Sequence, residues 1–260
     1  MQVEIKDLKK VFSGQGNEEV EALAGIDLSI TEGEFVSIVG PSGCGKSTLM
    51  EIVGGLTEPT GGEVLIDGEP INGPHPAVGL VFQQESAFPW RSVLGNVEFG
   101  LEMHGTPKEE RRQRSRDLIE LVGLQGFEDR YPEELSGGMR QRVAIARTLV
   151  MNPQVLLMDE PFGALDEQTR LILGDELLRI WSQSRATALF ITHSIEEAVL
   201  LSDRVIVMSA RPGSVKKVVP VDLERPRDSS VFGTPEFGRI TGEIWEVLRE
   251  ESMKALKGQV

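Results

Sequence analysis

Apolar residues recur along this chain with two different periods, and the changes of period mark out its parts. Val3 to Phe12, Ala22 to Ile30 and Phe35 to Val39 read as strands separated by turns. Glu63 to Ile66 and Val78 to Phe82 add short strands bounded by Gly and Pro. A helix is predicted to open at Lys46 and to run to about Val53, where Gly54 and Gly55 end it. From Ser92 to Val122 the spacing becomes helical, with Leu94, Val97, Leu101, Leu118, Leu121 and Val122, and Met139 to Val150 predicts a further helix. Beyond it, strands at Val155 to Met158, Thr187 to Ile191 and Arg204 to Met208 alternate with helices at Glu167 to Ser184 and Ile195 to Leu201. Such alternation predicts a mostly parallel sheet covered on both faces. The stretch from about Gln84 to Val150 interrupts it and reads as a helical lobe inserted in the α/β core. Within that lobe the charged run Lys108 to Arg116 reads as a solvated helix face. The residues after Pro220 are too few for a second core. Phe237, Ile240, Ile244 and Leu248 share one face in Thr234 to Glu250, which predicts a terminal helix docked on the body.

Composition narrows the function classes. With 260 residues the chain can bury a full core. Its net charge of -14 argues against a nucleic-acid surface, so no nucleic-acid partner is expected. The single cysteine, Cys44, excludes an internal disulfide and suits a reducing compartment. The opening M-Q-V-E-I-K-D-L does not read as a secretion signal. No apolar run reaches the ~18 residues a membrane helix needs, so any membrane association is expected to come through partners.

Chemistry concentrates in a few strings. Gly40 to Thr48 reads G-P-S-G-C-G-K-S-T after an apolar strand and before a helix, which is the pattern of a phosphate-binding loop. Gly40, Pro41, Ser42, Gly43, Cys44, Gly45, Lys46, Ser47 and Thr48 are therefore candidate nucleotide contacts. Backbone amides of such a loop surround phosphates, Lys46 would reach the β- and γ-phosphates, and the Ser47 hydroxyl would bind Mg²⁺. Cys44 is read as a small residue filling the loop. Val155 to Glu160 reads V-L-L-M-D-E: Asp159 would hold Mg²⁺ through water, and Glu160 would act as general base on the attacking water. Gln83, at the end of the strand Gly79 to Phe82, could bind Mg²⁺ or the lytic water. His193, in I-T-H-S, could bond the γ-phosphate and orient Glu160; a structural His in a capping turn is the alternative. Phe12 is the candidate platform for the base, with a plain core aromatic as its rival. The N-K-x-D string that reads guanine is absent.

Leu135 to Arg142 reads L-S-G-G-M-R-Q-R. With the phosphate loop, the D-E pair, Gln83 and His193 in this order, the chain resembles the ATP-binding cassette (ABC) ATPases over roughly Gln2 to Pro220. The strings Phe82 to Trp90, Asn96 to Leu101 and Ser209 to Gly213 resemble the nitrate/sulfonate/taurine importer group. The implied fold class is α/β: a P-loop NTPase core with a mostly parallel sheet, an N-terminal antiparallel β-subdomain and an inserted α-helical subdomain. Residues 1–220 would form the ATPase domain, with the helical part at about 84–150, and residues 221–260 a C-terminal helical extension. The resemblance implies ATP and Mg²⁺ as cofactors and a head-to-tail dimer. In it Ser136, Gly137 and Gly138 contact the γ-phosphate held by the second copy, and Gly163 to Asp166 run across the interface. It further implies a type I importer, with two transmembrane permease subunits, an extracytoplasmic solute-binding protein and a place on the cytoplasmic face of the inner membrane. The groove near Gln83 to Trp90 would receive a permease helix, with Phe88 and Trp90 as exposed anchors. An exporter ATPase or a non-transport ABC protein shares the catalytic strings. The stretch between Gln83 and Ser136 is too short for the long coiled coil of chromosome and repair ATPases.

Overall fold

The computed structural model describes residues 1–13, 19–84 and 86–257. Glu85, inside the Phe82 to Trp90 string, lies outside the described residues, as do the last three positions of the 221–260 extension. In chain order the elements are β1 Val3–Ser13, β2 Glu19–Ile30, β3 Phe35–Val39, α1 Lys46–Val53, β4 Gly61–Ile66, β5 Glu69–Pro70 and β6 Val78–Val81. The helical stretch follows as α2 Val93–Val97, α3 Phe99–Met103, α4 Lys108–Leu121 and α5 Gly137–Leu149. The chain then returns to β7 Val155–Asp159, α6 Glu167–Ser184, β8 Thr187–Ile191, α7 Ile195–Leu201, β9 Arg204–Met208 and β10 Val215–Pro220, and ends in α8 Pro235–Lys257.

Two sheets form. One is antiparallel with order β2-β1-β4-β5; the other has order β10-β9-β3-β8-β7-β6 and is parallel except at β10. Every residue of β3, β7 and β8 is buried, as expected of central parallel strands that carry near-continuous apolar runs. Phe35 of β3 meets Trp181 of α6 edge-on at 5.5 Å, and the indole N–H donates to the Ala186 carbonyl at 2.6 Å. The buried tryptophan thus satisfies its one donor while filling the core.

Strand β10 and the two-residue β5 were not legible in the apolar pattern. β10 is an edge strand that buries only Val219 of V-K-K-V-V-P, so it lacks a continuous apolar run. The helical spacing over Ser92 to Val122 is realised as the three helices α2, α3 and α4. It breaks at Glu98 and again at Gly105–Pro107, where Gly105 takes φ +73° and Pro107 caps α4. Val93, Val97, Leu101, Ile119, Val143 and Ala146 close around a separate apolar cluster. The charged run lies on α4, which buries only Ser115 and Ile119; its Arg111 reaches Glu98 at 3.3 Å. α8 is longer than the predicted Thr234 to Glu250. It packs Phe237, Ile240 and Ile244 against Val199, Val205 and Val207, with Leu248 partly buried, and its last turns bring in the buried Glu251.

The order β9-β3-β8-β7-β6 decides where chemistry can occur. In a parallel sheet, loops leaving the C-terminal ends of the strands line one edge. Here those loops carry Ser209–Gly213, Gly40–Gly45, Thr192–Ser194, Glu160 and Phe82–Gln83.

Candidate active site

A cleft of about 300 Å³ opens at that edge, walled by Phe12, Ser42, Gly43, Lys46, Ser47, Gln83, Glu160 and His193 among others. The phosphate loop forms its floor. Gly45 takes φ +100°, and a Cβ there would lie 2.8 Å from the Ala22 carbonyl, so only glycine fits the turn into α1. As N-cap, Gly45 offers no side-chain acceptor, which leaves first-turn amides of α1 for an anion. Lys46 is 5% exposed, and its ammonium donates to the carbonyls of Gly40 at 2.9 Å and Pro41 at 3.1 Å. Gly40 and Pro41 are buried, whereas Ser42 and Gly43 are exposed; Ser47 and Thr48 are intermediate at the start of α1. Cys44 is fully buried behind the loop, and burial pushes its thiol pKa up, against the pull of Lys46. That is the condition of an inert filler.

Asp159 ends β7 below this loop. Burial raises its carboxyl above the ordinary aspartate range and the neighbouring Glu160 adds to the rise, while the Ser47 hydroxyl and Lys46 oppose it. Its Oδ1 is buried without a hydrogen-bond partner among the described residues. An orphaned carboxylate oxygen next to a serine hydroxyl, with the Gln83 amide across the cleft, is an oxygen donor set that suits a hard divalent cation. Among the described residues no three His, Cys, Asp or Glu side chains group as a metal site. Mg²⁺ needs no such cage, since waters and substrate phosphates supply the rest of its shell.

Glu160 is held at both oxygens: Oε1 lies 2.6 Å from His193 Nε2, and Oε2 accepts from Gln83 Nε2 at 3.0 Å. Its backbone is left-handed at φ +46°, fixed by its amide on the Ile191 carbonyl at 2.9 Å. A non-glycine residue kept in that conformation stores strain, a feature that concentrates at functional sites. The His193 side chain is half exposed, and its loop is pinned by the Ser194 amide on Thr192 Oγ1 at 3.0 Å. Two side chains, from the ends of β8 and β6, therefore converge on the carboxylate that follows β7. Phe12 is 42% exposed at the rim of the cleft, under the Lys10 ammonium at 5.0 Å, so it is no core aromatic.

Ser136, Gly137 and Gly138 do not line this cleft. Ser136 is exposed and caps α5, its hydroxyl accepting the Met139 amide at 3.3 Å. The helix thus starts at Gly137, two residues before the predicted Met139. A Cβ on Gly138 would lie 2.8 Å from Leu165 Cδ2, so the turn Gly163–Asp166 packs directly on the start of α5. Trp90 is 72% exposed. Phe88 is not an exposed anchor: it is half-buried, stacked on Trp90 and edge-on to Phe99, with the Arg147 guanidinium 4.8 Å above it.

A family model described as ABC transporter matches residues 23–163. The chain belongs to the ABC transporter family. It is an ATP-binding subunit of that family and an ATPase. It is 52% identical over 257 residues to an uncharacterised ABC transporter ATP-binding protein of Methanocaldococcus jannaschii, covering 99% of this chain and 95% of that one. It is 46% identical over 255 residues to the nitrate import ATP-binding protein NrtD of Synechocystis sp., covering 96% of each. The aliphatic sulfonates import ATP-binding protein SsuB of Bacillus thuringiensis is 46% identical over 230 residues, covering 88% of this chain and 90% of its own. An ATP-binding cassette solved as a dimer in a post-hydrolysis state with ADP and Pi superposes with a TM-score of 0.76 at 36% identity, over 85% of this chain and 100% of that one.

Two features of this ABC ATPase site escaped the sequence reading. Gln141 of α5, 2% exposed, donates to the Phe82 carbonyl at 3.2 Å, so the helix that starts at the signature also grips the segment carrying Gln83. In the sequence Gln141 stood only within the L-S-G-G-M-R-Q-R string, with nothing to mark it as buried. The other is Arg211, which joins the wall of the cleft from the turn after β9. It stood in the S-A-R-P-G string only as a mark of resemblance.

Proposed function

We propose that this chain is the ATP-hydrolysing subunit of an importer for a small anionic solute such as a sulfonate, taurine or nitrate. Two copies pair head to tail and enclose two ATP molecules. The observation that carries this reading is Ser136: an exposed, capped helix N-terminus that takes no part in the cleft of its own chain. Such an end offers amides to an anion, and a second copy brings a γ-phosphate to it. The names of the nitrate and sulfonate import relatives support the direction and the solute class.

In this reading Phe12 stacks on the base, and Gly40 to Thr48 wrap the phosphates. Ser47, Asp159 and Gln83 would hold Mg²⁺, which when bound neutralises charge on the phosphates. Glu160 takes the proton of the attacking water as general base. His193 fixes that carboxylate at Oε1 and orients it toward the water, while Gln83 engages Oε2. Ser136, Gly137 and Gly138 complete the site of the second copy. No helix of the described residues is long and apolar enough to cross a membrane. The import relatives support two permease subunits as partners, fed by an extracytoplasmic solute-binding protein. The chain then sits peripherally on the cytoplasmic face of the inner membrane. Trp90 is the anchor for a permease helix in the groove beside the Gln83 loop.

The test is co-expression with the permease candidates, purification of the assembly and reconstitution in vesicles. ATP-dependent uptake of a sulfonate, taurine or nitrate, lost in Lys46→Ala, is the expected result. Efflux of the solute, or an ATPase that copurifies with no membrane subunit, would overturn the importer reading.

A further inference from the structure

The turn Ser209–Gly213 leaves β9 at the same sheet edge as the phosphate loop and is tied down from three directions. Toward β2, the Gly213 amide donates to the Ala22 carbonyl at 2.9 Å and its carbonyl accepts from Ala24 at 3.0 Å. A Cβ on Gly213 would collide with the Cys44 carbonyl, so the turn lies directly on the phosphate loop. Within the turn, Ser209 Oγ donates to the Pro212 carbonyl at 3.0 Å and accepts the Ser214 amide at 2.9 Å. From outside, Glu251 of α8 accepts the Ala210 amide at 3.0 Å. The Glu251 side chain is 3% exposed, and its second oxygen meets Lys254 at 2.6 Å and Lys216 at 3.6 Å. Burial alone would raise this carboxyl, but the bonds from Lys254 and Ala210 hold it below the ordinary glutamate range. A buried, charged acceptor held on one backbone amide fixes that amide more firmly than a neutral one would.

The residue after that amide is Arg211. Its Nε donates to the Gly43 carbonyl at 3.3 Å, and its side chain lines the cleft with Lys46 and Ser42. Neither of its terminal nitrogens has a partner among the described residues. We propose that Arg211 binds the nucleotide phosphates from the outer lip of the loop, and that α8 holds it there through Glu251. The inference rests on the cleft being the nucleotide site. Three features favour it. A guanidinium with one nitrogen engaged still presents two others in a planar fork, the geometry that phosphate oxygens accept. The chain carries a net charge of -14, so a polyanionic substrate gains from each cation at the cleft. Lys46 already shares its ammonium between two carbonyls.

The experiment uses the full chain and titrates ADP calorimetrically, with adenosine binding followed by ligand-observed NMR. Arg211→Gln keeps an N–H for the Gly43 carbonyl and removes the charge. Its dissociation constant for ADP should rise about tenfold, the loss of one charge-assisted hydrogen bond, with adenosine binding and apo melting temperature unchanged. Glu251→Leu removes the acceptor from Ala210 and should weaken ADP similarly; Glu251→Gln keeps an acceptor and should stay within about twofold of wild type. Wild-type ADP affinity in Arg211→Gln, or an equal loss for ADP and adenosine, would overturn the role of Arg211. A Glu251→Leu protein that melts lower yet binds ADP normally would overturn the role of Glu251. Lys46→Ala separates the two levels: if wild type binds ADP and Lys46→Ala does so equally well, the cleft reading itself is wrong.

Discussion

Replacing Glu160 by Gln isolates the chemical step from the architecture around it. The side chain keeps its size, and the left-handed backbone at φ +46° is retained, so the wall of the cleft is preserved. What changes is hydrogen-bond chemistry: the carboxylate accepts from His193 at 2.6 Å and from Gln83 at 3.0 Å, whereas an amide has one acceptor oxygen and one donor nitrogen. One of the two contacts must become donor to donor unless a partner adapts. His193 can move its proton to Nδ1, and Gln83 can turn its own amide over, so the structural cost is at most about 1 kcal/mol. The chemical cost is larger. Loss of a positioned base lowers the rate by roughly 10²–10⁴, or about 2.7–5.4 kcal/mol of barrier. Phosphate release under saturating MgATP measures the rate, calorimetry with ADP measures binding, and light scattering after chromatography in ATP measures association. Turnover should fall by that factor, ADP affinity should stay within about twofold, and ATP should hold the variant as a dimer. A variant that keeps more than about a tenth of wild-type turnover would refute Glu160 as the base. Loss of ADP binding would show instead that the carboxylate is a structural post.

Ser136→Arg should leave ADP binding by the isolated chain intact and abolish ATP-dependent dimerisation, measured by light scattering in the Glu160→Gln background; a surviving dimer would sink the cross-chain role. Asn96 is fully buried and bonds the Phe88 amide and the carbonyls of Phe88, Arg91 and Ser92, so Asn96→Leu should cost about 2–4 kcal/mol in urea denaturation and open the Trp90 loop to protease. Gln141→Leu should lower coupled transport more than ATP binding, read as solute moved per ATP hydrolysed, since it cuts α5 from the Phe82 carbonyl. Burial raises the Glu197 carboxyl, with Thr192 and Arg170 opposing, so the folded state binds its proton more tightly than the unfolded state does. Its stabilising contribution is full below the unfolded value of about 4.3 and is lost as pH rises through the elevated folded one. The melting temperature of wild type relative to Glu197→Gln should therefore decline as pH rises from about 4 to about 7; a constant difference would contradict this.

The parts of the fold that announce themselves in the sequence are those whose burial is one-sided in kind. β3, β7 and β8 are wholly buried and nearly all apolar because both faces are covered, and α1 ends at glycine. β10 lies at the edge with exposed lysines, and β5 is two residues long, so neither leaves a pattern. The same asymmetry governs the site. Gly40 to Thr48, Asp159, Glu160, Gln83 and His193 are local strings, legible because each loop must leave a strand end in a fixed way. Arg211, Gln141 and Glu251 act across sequence separations of 168, 59 and 41 residues. Nothing local constrains such partners, so only the folded chain reveals them.

That long-range set suggests how a cleft this open could respond to events outside it. α5 begins at exposed Ser136, grips the Phe82 carbonyl through Gln141, and bonds Ser86 twice through Arg147 at 2.7 Å. Its Thr148 hydroxyl reaches the Leu80 carbonyl at 3.2 Å, inside β6. One rigid helix therefore joins the signature end, the segment carrying Gln83 and the loop displaying Trp90. A helix transmits displacement along its length far better than a loop does, because its hydrogen bonds lock each residue to the next turn. Force applied at Trp90 must then move Ser136 and Gln83 together. Gln83 lies 3.0 Å from Glu160, so such a movement would alter the grip on that carboxylate in the same step that it repositions the Ser136 end of α5.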